Sequence, residues 1–270
     1  MTSLDYIAIA AVLIIGVPHG GLDGALARRV GWAPNLAGWL TFHIAYLAIS
    51  ALVTIIWWWF PATSLGVFLL ISAVHFGVSD IRHIMQLGKN HWLPVLAHGG
   101  LVAIAIPAFH TEEVVAIFAI LVGDSGAQSL ISIIETALKP YLMIVTTYFL
   151  YSIRADEWRI TAANLVVLLL IAYWAAPLVS FAVYFCLWHS RSHTLRIWHS
   201  IDAIHRRRCL LEAAAYSILA WLTAAVCFWY FKMTPDAALI QLTFIGLAAL
   251  TVPHMLLVDF ADSKLHRLMA

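Results

Sequence analysis

Apolar residues run through this chain in long blocks, and polar residues are confined to the gaps and to isolated positions inside the blocks. Bounded by charges and prolines, the blocks fall at 5–27, 36–60, 64–86, 92–109, 139–153 (with a start as early as 129), 160–176, 178–200, 210–231 and 237–259. Most approach the roughly 20 residues that an α-helix needs to cross a bilayer. The pattern predicts an all-α, polytopic membrane helix bundle of about nine transmembrane helices, with residues 1–270 forming a single domain. Between 112 and 138 the pattern changes. An apolar half from Val114 to Val122, a GDSGAQ break and a second half SLISIIETAL predict a short re-entrant or surface-lying helical pair.

Composition agrees with this reading: 63% of residues are apolar, 11% are charged and the mean hydropathy is +0.91, far outside the range of a soluble domain. The N-terminal stretch lacks a basic region, carries Asp5 ahead of its apolar run and shows no small-residue cleavage site. It reads as a retained first helix. Cys186, Cys209 and Cys227 form no CxxC pair and read as small core residues. A net charge of +1 argues against a nucleic-acid partner.

Where the charges lie says more than their sum. With the N-terminus outside and the C-terminus in the cytoplasm, thirteen of the fifteen lysines and arginines fall on the cytoplasmic side, leaving Lys139 and Lys232 outside. His205-Arg206-Arg207-Arg208 then reads as an anchor on anionic membrane lipids. This topology predicts an inner-membrane protein whose 112–138 stretch begins and ends on the outer side. A version in which Val114 to Val122 spans puts His189 and His19 on opposite sides and fits the charges less well.

In the favoured topology, His19, His75, His189 and His254 all lie on helices running inward, about 10–15 Å from the inner boundary at about 1.5 Å per residue. A polar ring at such a depth is costly unless something satisfies it. His193 follows His189 by four residues, so two imidazoles share one helix face at a spacing that suits one metal ion. Two protonated rings beside Arg191 would repel, and a metal removes that conflict. Pro18-His19-Gly20-Gly21 should break the first helix, with Asp23 four residues on to orient a ligating imidazole. Asp80, five residues after His75, points at a neighbouring helix. Asp259 follows His254 in the same way. His43 and His98 read as helix-packing histidines. Phe76, Phe181, Tyr184, Phe185 and Trp188 serve either as core or as the walls of a slot for a long apolar substrate.

Neutral imidazoles with no cysteine fit Fe(II), Zn or Cu on ligand type alone. Zinc peptide hydrolysis would need a carboxylate beside the histidines, as in HExxH, and none is present. The segments PHGGLD at 18–23, VHFGVSD at 74–80, FCLWHSRSH at 185–193 and VPHMLLVD at 252–259 resemble those of the Brp/Blh family of bacterial and archaeal membrane β-carotene 15,15′-dioxygenases. The resemblance implies O2-dependent cleavage of β-carotene to two molecules of all-trans-retinal, often supplying a microbial rhodopsin. It implies Fe(II) as cofactor, His19, His75, His189 and His193 as metal ligands and catalytic centre, and His254 as a fifth ligand or pocket residue. Asp23 and Asp80 would orient the ligands. Two other classes are a membrane di-iron desaturase, which needs more histidine boxes than this chain has, and a histidine-rich transporter conducting protons or metal.

Overall fold

In lipid every backbone N–H and C=O must find its partner within the chain, so apolar blocks of this length become helices. The computed structural model describes residues 1–33, 35–85, 91–231 and 234–269, and among these there is no strand. Lys89 and Lys232 of the charge topology lie outside the described residues, as do the side chains of His83, Asp259, Lys264, His266 and Arg267. The helices are α1 (Ser3–Arg29), α2 (Leu36–Trp59), α3 (Pro61–Met85), α4 (Trp92–Phe109), α5 (Thr111–Val122), α6 (Asp124–Arg154) and α7 (Asp156–Trp174). After them come α8 (Pro177–Ala182), α9 (Arg191–Ser200), α10 (Ala203–Phe231) and α11 (Pro235–Met269).

Among the described residues, eight helices are long and apolar enough to cross a membrane, against about nine expected. The segment missing from that set is 178–200. It is helical, but His189, Ser190, Arg191, Ser192 and His193 make it too polar to qualify on composition. The 112–138 stretch also takes a definite form. Its first half is α5, Gly123 turns the chain with a φ of 79°, and its second half is the start of the 31-residue α6, which absorbs the predicted 139–153 span. Glycine is needed at that turn because a side chain at positive φ is strained.

The chain forms two compact units. The first comprises Met1–Ala8 and Phe60–His189. Here α3 and α4 pack closely enough that a Cβ on Gly77 would collide with the Val95 carbonyl, and one on Gly99 with the Ala73 carbonyl. Two buried tyrosines tie further helices on: Tyr141 donates to the Ala97 carbonyl at 2.9 Å, and Tyr148 shares a 2.8 Å hydrogen bond with Thr161.

The second unit comprises Ile9–Trp59 and Ser190–Ala270. Its core gathers Leu22, Leu26, Ile197, Ala213, Leu257 and Val258 from α1, α9, α10 and α11. Pro18 has no N–H to donate, and around it α1 leaves the regular ladder for a π turn at Val12–Gly16 and a 3₁₀ stretch at Val17–Leu22. Gly21, in that stretch, lies against the backbone of Ala213. Large apolar side chains such as Ile44, Leu47, Leu52 and Trp58 on α2 remain exposed in the isolated chain, as lipid-facing surface does.

These close approaches can be checked. Gly77→Ala and Gly99→Ala should each destabilise the protein by about 1–3 kcal/mol, the usual range for overpacking. A Cβ on Gly246 meets nothing within 4 Å, so Gly246→Ala should leave the thermal midpoint in detergent unchanged or raised.

Candidate metal centre

In the second unit the broken part of α1 carries His19, half-buried, whose Nδ1–H donates to the Gly16 carbonyl. His193 on α9 and His254 on α11 are buried beside it. The three rings form a triangle, with centroids 5.6 Å apart for His19–His193, 5.2 Å for His19–His254 and 5.0 Å for His193–His254. Asp23, only 3% exposed, turns both carboxylate oxygens to Nδ1 of His254, at 2.8 and 3.0 Å. Its Oδ2 also accepts the Tyr46 hydroxyl of α2 at 2.9 Å. Ligand atoms of Asp23, His193 and His254 all lie within 4.8 Å of one another, so this buried group could hold a metal ion.

Hydrogen bonds set which ring nitrogen can ligate. In His254 and His19 the proton sits on Nδ1, held by Asp23 and by the Gly16 carbonyl, which puts the lone pair on Nε2. His193 is opposite: Arg196 donates to its Nδ1 at 3.0 Å, which places the ring proton on Nε2. Two of the three rings therefore fit a metal as they stand, and the third fits once Arg196 withdraws.

The first unit holds a parallel arrangement. His75 on α3 lies 5.2 Å, ring to ring, from His189 in the π-helical stretch Val183–Ser190. Both are buried. Phe76 and His189 meet edge to face with ring centroids 4.7 Å apart, and Phe181, Phe185 and His189 stack in sequence at 5.3 and 6.0 Å, each pair 11° from parallel. Asp80, its side chain 4% exposed, accepts the Tyr184 hydroxyl at 3.1 Å and lies 3.4 Å from Nδ1 of the fully buried His98. Each unit thus surrounds one buried carboxylate with one imidazole and one phenol.

Some of these partners were not legible in the sequence. Asp23 orients His254 on α11 instead of His19 one turn away, which brings His254 into the same cluster as His19 and His193. Asp80 does reach to neighbouring elements, where its partners are His98 and Tyr184. Tyr46 carried no motif, and its only signal was a phenol inside an apolar span. His43 makes packing hydrogen bonds, to the Trp39 carbonyl at 2.8 Å and to the Tyr216 hydroxyl at 2.7 Å.

Apolar helices of membrane-spanning length, with imidazoles and carboxylates paired in their interior, define a multi-pass membrane protein with a buried group that could hold a metal ion. The model of the β-carotene 15,15′-dioxygenase family matches residues 10–262, and the chain belongs to that family. It is 34% identical to the β-carotene 15,15′-dioxygenase of an uncultured marine bacterium, 66A03, over 95% of this chain and 94% of that one. It is 24% identical to a probable β-carotene 15,15′-dioxygenase, Blh, of Halobacterium salinarum, over 94% of this chain and 83% of that one. No solved structure matches it significantly.

If Arg196 competes with metal for His193, then Arg196→Ala should bind Co(II) more tightly than wild type when titrated in detergent. The gain should reach up to about tenfold, within the strength of one hydrogen bond from a charged donor.

Proposed function

We propose that this protein cleaves the central 15,15′ double bond of β-carotene with O2, each carbon taking one oxygen atom, to give two molecules of all-trans-retinal. The observation that carries the reading is the family match over residues 10–262, with the motif histidines His75, His189 and His193 buried in apolar helices. The proposed metal is Fe(II), and its proposed ligands are His19, His75, His189 and His193. When bound, the metal supplies the oxygen chemistry. The donor set suits it, since neutral imidazoles hold a divalent ion without adding charge to a buried site.

The remaining work belongs to the chain and is mainly positioning. The stacked series Phe181, Phe185 and His189 offers a row of ring edges along which a rigid polyene can lie, ending at a proposed ligand. Phe76 closes on the same imidazole from its edge and keeps water away. Asp80 is held by Tyr184, which itself stacks with His189 at 6.4 Å, so the carboxylate and the aromatic row are fixed together. The substrate would enter sideways from the membrane lipids. We further propose an inner-membrane location with the N-terminus outside and the C-terminus cytoplasmic. Retinal released into the bilayer would be available to a microbial rhodopsin.

Coexpression in β-carotene-producing cells tests this reading. Wild type should convert carotene to retinal, and His189→Ala, expressed to the same level, should form none. Asp80→Asn should lower iron content or retinal formation by about 10- to 100-fold, as loss of a group orienting a metal site does. Orange cells without retinal in wild type would sink the reading in favour of a transporter, to be sought as proton or metal flux in vesicles.

A further inference from the structure

We propose that Tyr46 is a positioning residue that, through Asp23, sets the His254 imidazole to bind a metal ion through Nε2 beside His19 and His193. The inference rests on the iron reading above and adds Tyr46 to it.

Geometry makes His254 the equal of its neighbours. Its ring is closer to His19, at 5.2 Å, and to His193, at 5.0 Å, than those two are to each other, at 5.6 Å. Ligand atoms of His254 and His193 also lie within 4.8 Å of one another, so one ion could use both once Arg196 withdraws from His193. Asp23 decides how His254 is presented. With both oxygens on Nδ1–H, the carboxylate holds the ring in one orientation and one tautomer, and Nε2 is the nitrogen left to ligate. The same contacts give Asp23 an orienting role, since its oxygens are turned to the imidazole and the phenol.

Tyr46 acts one step further out. Its hydroxyl lies 2.9 Å from Oδ2 of Asp23 on α1 and 3.1 Å from the carbonyl of Leu250, one turn before His254 on α11. Its single proton is shared between the carboxylate and the carbonyl, the shorter contact being to Asp23, so one phenol ties α1 to the helix that carries His254. Without that proton a buried carboxylate keeps the imidazole as its one strong donor here and is free to rotate. A rotated carboxylate releases Nδ1–H, and with it the direction of Nε2.

The test compares wild type, Tyr46→Phe, His254→Ala and Tyr216→Phe, purified in detergent and titrated anaerobically with Co(II) and with Fe(II). Tyr46→Phe removes one oxygen and keeps the ring. Tyr216→Phe removes a hydroxyl of the same unit, bonded to His43 at 2.7 Å, and serves as the control for a purely structural loss. Tyr46→Phe and His254→Ala should each weaken metal affinity by about 10- to 100-fold and shift the Co(II) ligand-field spectrum. Tyr216→Phe should do neither, and thermal midpoints will report any variant that has not folded. Unchanged affinity and spectrum in Tyr46→Phe and His254→Ala, with a wild type that loads normally, overturns this proposal and leaves the iron reading standing. A wild type that binds neither metal overturns the iron reading itself.

Discussion

A carboxylate inside an apolar helix bundle costs several kcal/mol unless donors surround it, and among the described residues two lie there. Asp23 and Asp80 are each met by an imidazole and a phenol, His254 with Tyr46 in one unit and His98 with Tyr184 in the other. Each set draws its members from different helices, so the helices must pack in one rotation and one register for the carboxylate to be satisfied. A polar group that would be a defect if left alone instead selects one arrangement among the many that apolar surfaces would tolerate. The imidazole tautomers follow from the same contacts, and they decide which ring nitrogens could meet a metal ion.

Close helix contact makes this selection possible. Gly77 and Gly99 let α3 and α4 approach to backbone contact, and Gly21 does the same for α1 and α10. Between lipid-facing helices the hydrophobic effect gives little preference for protein over lipid, and small residues allow the dispersion contacts that do. Two of the histidines of interest sit where the backbone leaves α geometry: His19 in the 3₁₀ stretch after a π turn, and His189 in a π-helical stretch. Such departures re-aim a side chain relative to its helix. They also change which residues share a face, so simple i,i+4 counting is least secure where the chemistry is placed.

The sequence alone was enough to read the class and most of the spans. Hydropathy needs only the transfer free energy of each residue, which is local, and blocks near 20 residues leave helix as the one solution in lipid. The break at Pro18 was legible because proline removes a specific donor. The polar stretch His189 to His193 is visible too, and it is what sets 178–200 apart from the eight more apolar helices. The second half of the 112–138 stretch was harder, since only the turn at Gly123 separates one short helix from a long one, and SLISIIETAL extends into α6 without a break.

Tertiary structure decided the pairings. Nothing in PHGGLD says that Asp23 serves an imidazole 231 residues away, or that a tyrosine from α2 completes the set. The spacing of Asp80 from His75 showed that it faces outward from its own histidine, but not that His98 and Tyr184 would receive it. Burial depth is a property of one helix and can be counted along the chain. Which side chain lies opposite depends on the rotation of two helices about their axes, set by packing contacts distant in sequence, so it appears only when the chain has folded.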